Sequence, residues 1–277
     1  MRIVTFRHDG IIQYGIREGD RIAVCPGAAS AVDLAANAAR LAPSGHLALA
    51  DVELLPPVPR PGKIICIGLN YRAHAIEGGN AIPDYPAVFL RVPSSLSAPG
   101  NIIIYPEISD KLDYEAELAV VIGRTAASVS QADALNYVAG YSCFNDGSVR
   151  DYQRKSTQWT MGKNFDATGG FGPDLVTPDE LPAGASGLRL VARLNGEVMQ
   201  DSTTADMIFD VATLIATLSE AMTLEPGDVI ATGTPSGVGY ARKPPVFMRP
   251  GDVCEIEIEG IGVLSNTIAA RPGRTAR

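Results

Sequence analysis

Four prolines fall within six residues at Pro56-Pro57-Val58-Pro59-Arg60-Pro61, and Gly62 follows them. Proline has no N–H for a helix or a sheet ladder and holds its own φ fixed, so no regular element can run through this stretch. It divides the chain into a small N-terminal domain, residues 1–58, and a larger domain, residues 59–277. A chain of 277 residues suits one large or two unequal domains, and either can bury a substantial core. Elsewhere the 28 glycines and 20 prolines are scattered singly, without a period. That spacing favours many turns and short strands over a helical bundle.

Residues 2–24 read as three short strands broken at His8-Asp9-Gly10 and Glu18-Gly19-Asp20, and Ser30 can cap an alanine-rich helix from Ala31 to about Leu41. Beyond the prolines, Lys63–Ile67 has the composition of a buried strand, and Tyr71–Glu77 suits a short helix stopped by Gly78-Gly79. Glu115–Ile122 and Tyr137–Phe144 read as strands, and the polar segment Asn145–Lys155 can turn helical. Asn195-Gly196 between two apolar runs predicts a hairpin with a type I′ turn. Asp206–Met222 carries Met207, Ile208, Val211, Leu214, Ile215, Leu218 and Met222 at helical spacing and predicts the one long helix.

The net charge of −8, with no stripe of Lys or Arg, argues against nucleic acid as a partner. No apolar run approaches the roughly 18 residues of a membrane span, and no cleavable leader precedes the first strand pattern. A cytoplasmic protein is the expectation. Cys25, Cys66, Cys143 and Cys254 lie far apart, without the close spacing of a thiolate zinc site. Of three histidines only His74 sits in a segment that looks like a site, so a metal centre here must be built from carboxylates.

Glu115 and Glu117 stand two apart at the start of an apolar strand, where period-two geometry points both to one face. On a buried face such a pair implies a raised pKa or a cation between the two, and a hard cation such as Mg²⁺ fits oxygen donors. For an isolated Glu-x-Glu a solvated strand face is the preferred reading, and only the company the pair keeps shifts the balance. Asp146, just after another apolar strand, can supply a third carboxylate; Arg150 and Gln153 beyond it can reach a bound carboxylate or carbonyl if that segment is helical. The same residues could equally be a helix cap and a surface helix. His74 and Glu77, three apart, share a helical face, so Glu77 can orient His74 and raise its basicity; an ordinary surface contact is the alternative. Gly233-Thr234-Pro235-Ser236-Gly237-Val238-Gly239 is a glycine-rich loop without the Lys-Ser/Thr of a P-loop. It suits backbone N–H groups and the Thr234 hydroxyl close to a substrate oxygen.

The ordered run of GLNYRAHAIE (68–77), DYEAELAVVIG (113–123), NDGSVRDYQ (145–153), QWTMGKNFD (158–166), Gly172-Pro173 and TLEPGDVIATGTPSGVG (223–239) resembles the fumarylacetoacetate hydrolase family over about residues 60–270. The resemblance implies an α+β fold, a β-rich mixed sandwich or roll with a small strand-rich N-terminal domain, usually homodimeric. It implies Mg²⁺ or Mn²⁺, with Ca²⁺ a third candidate, on Glu115, Glu117 and Asp146. It makes His74 and Glu77 a proton-transfer dyad and Lys163 the stabiliser of a developing enolate. Arg150, Gln153 and Thr234 become substrate contacts.

The implied activity is metal-dependent hydrolysis of a carbon–carbon bond in a 1,3-dicarbonyl or acylpyruvate-type oxo acid, a small anion of the kind met in aromatic catabolism. The same apparatus could decarboxylate oxaloacetate, or isomerise or hydrate an oxo acid; an inactive metabolite-binding homodimer is the non-enzymatic alternative. One departure is Ala167-Thr168-Gly169-Gly170-Phe171 before Gly172-Pro173, a loop expected to line the pocket. The natural substrate is not fixed by the sequence; it depends on the shape of the pocket and on whether Arg72, Arg91 or Arg150 meets a second carboxylate.

Overall fold

The structure is a computed structural model and describes residues 1–79 and 81–271. Its centre is the strand Ala116–Ile122, buried along its whole length. Leu118, Val120 and Ile122 pack with Leu190, Ala192, Ile256 and Ile258, while Ala119 and Val121 face a second cluster with Ile64, Cys66, Phe144 and Phe171. A strand covered on both faces has no solvent side to mark with polar residues, which explains the unbroken apolar run.

Among the described residues two large sheets form the body. The mixed twelve-stranded sheet runs in space from Gly45–Ala48 through Arg21–Val24, Ile11–Glu18, Arg2–His8, Gly169–Val176, Val138–Asp146, Ala116–Ile122, Val229–Ala231 and Ile64–Gly68 to Ala87–Arg91, with two further strands attached. The five-stranded sheet is built from Glu197–Thr203, Arg189–Leu194, Val253–Ile258, Gly262–Ala269 and Ile103–Ile104. The first apolar cluster fills the space between these sheets and the helix Val211–Ala221; the second is closed by the helix Ala31–Asn37. This is the β-rich mixed α+β architecture with a strand-rich N-terminal part that the sequence led us to expect.

The proline run carries neither strand nor helix. The sheet nevertheless passes from the N-terminal to the C-terminal part, because Arg2 and Ile3 pair with Val176 and Leu175. The Thr5 hydroxyl also donates to the Pro57 carbonyl at 2.8 Å, tying the proline run back onto the first strand.

Two local expectations need correction. The long helix begins at Val211, not Asp206: the Asp210 carboxylate accepts from the Thr213 N–H, capping the helix there. Met207 and Ile208 precede it and are held elsewhere, Met207 in a bridge to Tyr71 and the Ile208 N–H on the Asn70 carbonyl at 2.8 Å. In the segment Asn145–Lys155 only Arg150–Gln153 makes a helical turn, since Asn145 and Asp146 end one strand and Ser148–Val149 pairs with Leu112–Asp113. The predicted hairpin forms, with φ of 54° at Asn195 and 81° at Gly196 as a type I′ turn requires. Among the described residues no helix is long and apolar enough to cross a membrane.

Candidate active site

The antiparallel register of the two central strands sets Ala116 opposite Asn145, so Glu115 lies across from Asp146, whose N–H donates to the Glu115 carbonyl at 2.9 Å. Residues opposite each other in a ladder share a face, as do residues two apart along one strand. Glu115, Glu117 and Asp146 therefore converge, and one oxygen of each lies within 4.8 Å of the others. All three are buried, with exposures of 5%, 2% and 0%.

Cations from distant segments meet two of the three. Lys163 Nζ lies 2.6 Å from both Glu115 Oε2 and Asp146 Oδ2. Arg150 donates through Nε to Asp113 Oδ2 and pairs through Nη1 with Glu115 Oε1, each at 2.7 Å. Arg91 Nη1 reaches Asp146 Oδ1 at 2.5 Å. Glu117 is different: its Oε2 accepts the Gly233 N–H at 3.0 Å, and among the described residues no cation lies within 4 Å of it. Four buried carboxylates, with Asp113 the fourth, thus face three buried cations.

This imbalance is visible in the acidities. Burial, reinforced by the negative charges of Asp146 and Glu115, pushes the Glu117 carboxyl well above the usual range. Burial works against ionisation of Glu115 too, but Lys163 and Arg150 outweigh it and bring that carboxyl to about 2. The excess negative charge and the all-oxygen donor set fit a hard divalent cation.

The glycine-rich loop closes the site from the other side. Gly233 and Gly237 adopt φ of 99° and 100°, which side chains disfavour, and these turns aim the two N–H groups inward. That of Gly233 meets Glu117, and that of Gly237 meets both oxygens of Glu77 at 3.1 and 3.2 Å. Glu77 in turn lies 3.4 Å from Nδ1 of the buried His74, leaving Nε2 of that ring uncommitted to the dyad. The Thr234 hydroxyl accepts from Gln200 Nε2 at 2.8 Å.

Glu115, Glu117, Asp146, His74, Arg150, Gln153, Lys163 and Thr234 all line one cavity of about 240 Å³. Glu77 stands behind His74 and is one-quarter exposed. Sequence reasoning missed Asp113, Gln200 and Tyr240. Asp113 adjoins the Glu-x-Glu segment, a signal that could have nominated it; the others carry no local mark.

Arg91 is not a receptor for a second carboxylate: its guanidinium is committed to Asp146, the Gly147 carbonyl, Ser95 and Thr168. Gly169 makes room for this guanidinium, and neither Gly169 nor Gly170 is among the residues lining the cavity. They lie in a buried strand, where a side chain on Gly169 would meet the Arg91 guanidinium and one on Gly170 would meet Asn266.

The family model for the fumarylacetoacetate hydrolase C-terminal domain matches residues 63–269, and one described as Rv2993c-like, N-terminal, matches residues 1–57. The chain belongs to the fumarylacetoacetate hydrolase family. Among its relatives, oxaloacetate tautomerase YisK of Bacillus subtilis is 47% identical over 79% of this chain and 74% of its own. The mitochondrial oxaloacetate tautomerase Fahd2a of Rattus norvegicus is 43% identical over 85% of this chain and 76% of its own. A solved fumarylacetoacetate hydrolase from psychrophilic Exiguobacterium antarcticum superposes with a TM-score of 0.87 at 36% identity, covering 98% of this chain and all of the other.

Proposed function

We propose that this chain is a divalent-metal-dependent enzyme that interconverts the keto and enol forms of an oxaloacetate-like 2-oxo acid. The observation that carries this reading is Glu117, a buried carboxylate with no cationic partner among the described residues, beside two more carboxylates and in a cavity with a dyad suited to proton transfer. The tautomerase names of the two relatives support proton transfer over bond cleavage.

A divalent cation, Mg²⁺ or Mn²⁺, on Glu115, Glu117 and Asp146 would supply the Lewis acidity that lowers the cost of negative charge on an enolate oxygen. The chain's own groups do the rest. His74 Nε2 takes the proton from C3 as the electron pair of that C–H bond spreads onto the C2 oxygen, and reprotonation at oxygen gives the enol. Glu77, held by the Gly237 N–H, orients the ring through Nδ1. The Lys163 ammonium brings positive charge close to the developing enolate, while Arg150 and Gln153, joined at 3.0 Å, orient the substrate carboxylate.

The test is exchange of the C3 protons of oxaloacetate in D₂O, followed by NMR with Mg²⁺ and again with EDTA. Exchange above the enzyme-free rate that requires the metal is the expected result; equal exchange in EDTA would sink the metal-dependent mechanism. His74→Asn is expected to slow exchange by about a hundredfold or more, the usual size of a general-base contribution. Hydrolysis of an acylpyruvate is the second reading, favoured by the same dyad, which could equally draw a proton from water. Appearance of two acid products from an acylpyruvate, with no exchange on oxaloacetate, would select it. Release of CO₂ would select decarboxylation.

A further inference from the structure

We propose that Arg154 is the receptor for a second substrate carboxylate, so that the cavity selects dicarboxylic over monocarboxylic 2-oxo acids; this rests on the reading of the cavity as a 2-oxo acid site. Arg154 directly follows the turn Arg150–Gln153, and its N–H donates to the Arg150 carbonyl at 3.2 Å. Residues four apart on such a turn share a side. The guanidinium carbons of Arg150 and Arg154 lie 4.5 and 4.6 Å from the centroid of the Tyr240 ring. Tyr240 is itself anchored, its N–H donating at 3.0 Å to Asp113 Oδ2, the oxygen that also accepts Arg150 Nε. The ring thus sets both arginines at the cavity, whose wall includes Arg154, Arg150 and Tyr240.

The two arginines differ in what they have left to offer. Arg150 is paired with Asp113 and Glu115, and only its Nη2, buried, lacks a partner. Arg154 is exposed, and among the described residues no carboxylate lies within 4 Å of it. Charge balance then gives the ligand class. A divalent cation converts the single excess negative charge of the buried site into a single positive one, which one carboxylate of the substrate cancels. A second carboxylate finds no further countercharge among the buried groups of the site. Arg154 meets that need with a planar fork suited to carboxylate geometry.

Calorimetric titration of the full chain in Mg²⁺ with oxaloacetate and with 2-oxobutanoate, its monocarboxylic counterpart, tests this. Wild type should bind oxaloacetate about tenfold more tightly or better; Arg154→Gln should lose about that factor for oxaloacetate and less than about twofold for 2-oxobutanoate, with Arg154→Lys recovering part of the loss. Equal affinity of wild type for both ligands, equal losses in the variant, or no loss at all overturns the assignment and leaves Arg154 as packing on Tyr240. The readout is binding, so it judges Arg154 even if no C3 exchange is catalysed: selective binding without exchange would remove the proposed activity and keep the carboxylate receptor.

Discussion

Glu117→Gln is expected to abolish both turnover and tight binding of Mg²⁺ or Mn²⁺, and at the same time to make the metal-free protein more stable at neutral pH. The loss follows from removing one of three converging carboxylates. Metal stabilisation of an enolate contributes several kcal/mol, so the rate should fall by about three orders of magnitude or more. The gain in stability follows from the missing countercharge. In the folded chain the Glu117 carboxyl sits well above its ordinary value of 4.5, so between that pH and its folded pKa the native state holds a proton that the unfolded chain has released. The Glu117 contribution to stability is then fully present below about pH 4.5 and declines as pH rises toward the folded pKa. Melting curves in EDTA across pH should show this decline in wild type and lose this component in the variant. A pH profile identical in both proteins would show that Glu117 is already compensated.

Lys163→Met carries the second large effect. The ammonium bridges Glu115 and Asp146 at 2.6 Å from each. Burial disfavours its charge, yet Asp146 and Glu115 more than offset that and raise its pKa. Removing one member of a buried charge cluster leaves the others uncompensated, at a cost of about 3–5 kcal/mol. The metal-free variant should therefore unfold at markedly lower urea. A divalent cation on the same carboxylates should recover part of that stability, but exchange at C3 should stay depressed, because the charge beside the enolate has gone. Recovery of activity along with stability would reduce Lys163 to a structural role.

How much of this was legible in the sequence follows from how local each interaction is. Glu115, just ahead of the strand Ala116–Ile122, stands two before Glu117 on it, and the Asp146 N–H at the end of the adjacent strand bonds the Glu115 carbonyl, so residue spacing and strand pairing bring the three together. The strand Ala116–Ile122 was readable from its unbroken apolar run. The countercharges were harder. Arg91 reaches Asp146 across 55 residues of chain, and nothing near Arg91 marks it as a buried partner instead of a substrate contact. Glu77 is clamped by Gly237 across 160 residues, a bond that no local pattern announces. The start of the long helix was misplaced because Met207 and Ile208 keep helical spacing while Asn70, far away in sequence, holds that backbone. Proline content marked the break near residue 58 but not the pairing of Ile3 with Leu175 that carries the sheet past it.

An uncompensated buried carboxylate should make Glu115, Glu117 and Asp146 a divalent-cation site. Titration of Mn²⁺ into the wild type and into Glu117→Gln, followed by calorimetry in buffers of different ionisation enthalpy, tests it most directly. The expected result is one tight site in the wild type, with proton release at pH values below the folded pKa of Glu117, and no tight site in the variant. Equal Mn²⁺ affinity and equal proton release in the two proteins would contradict it.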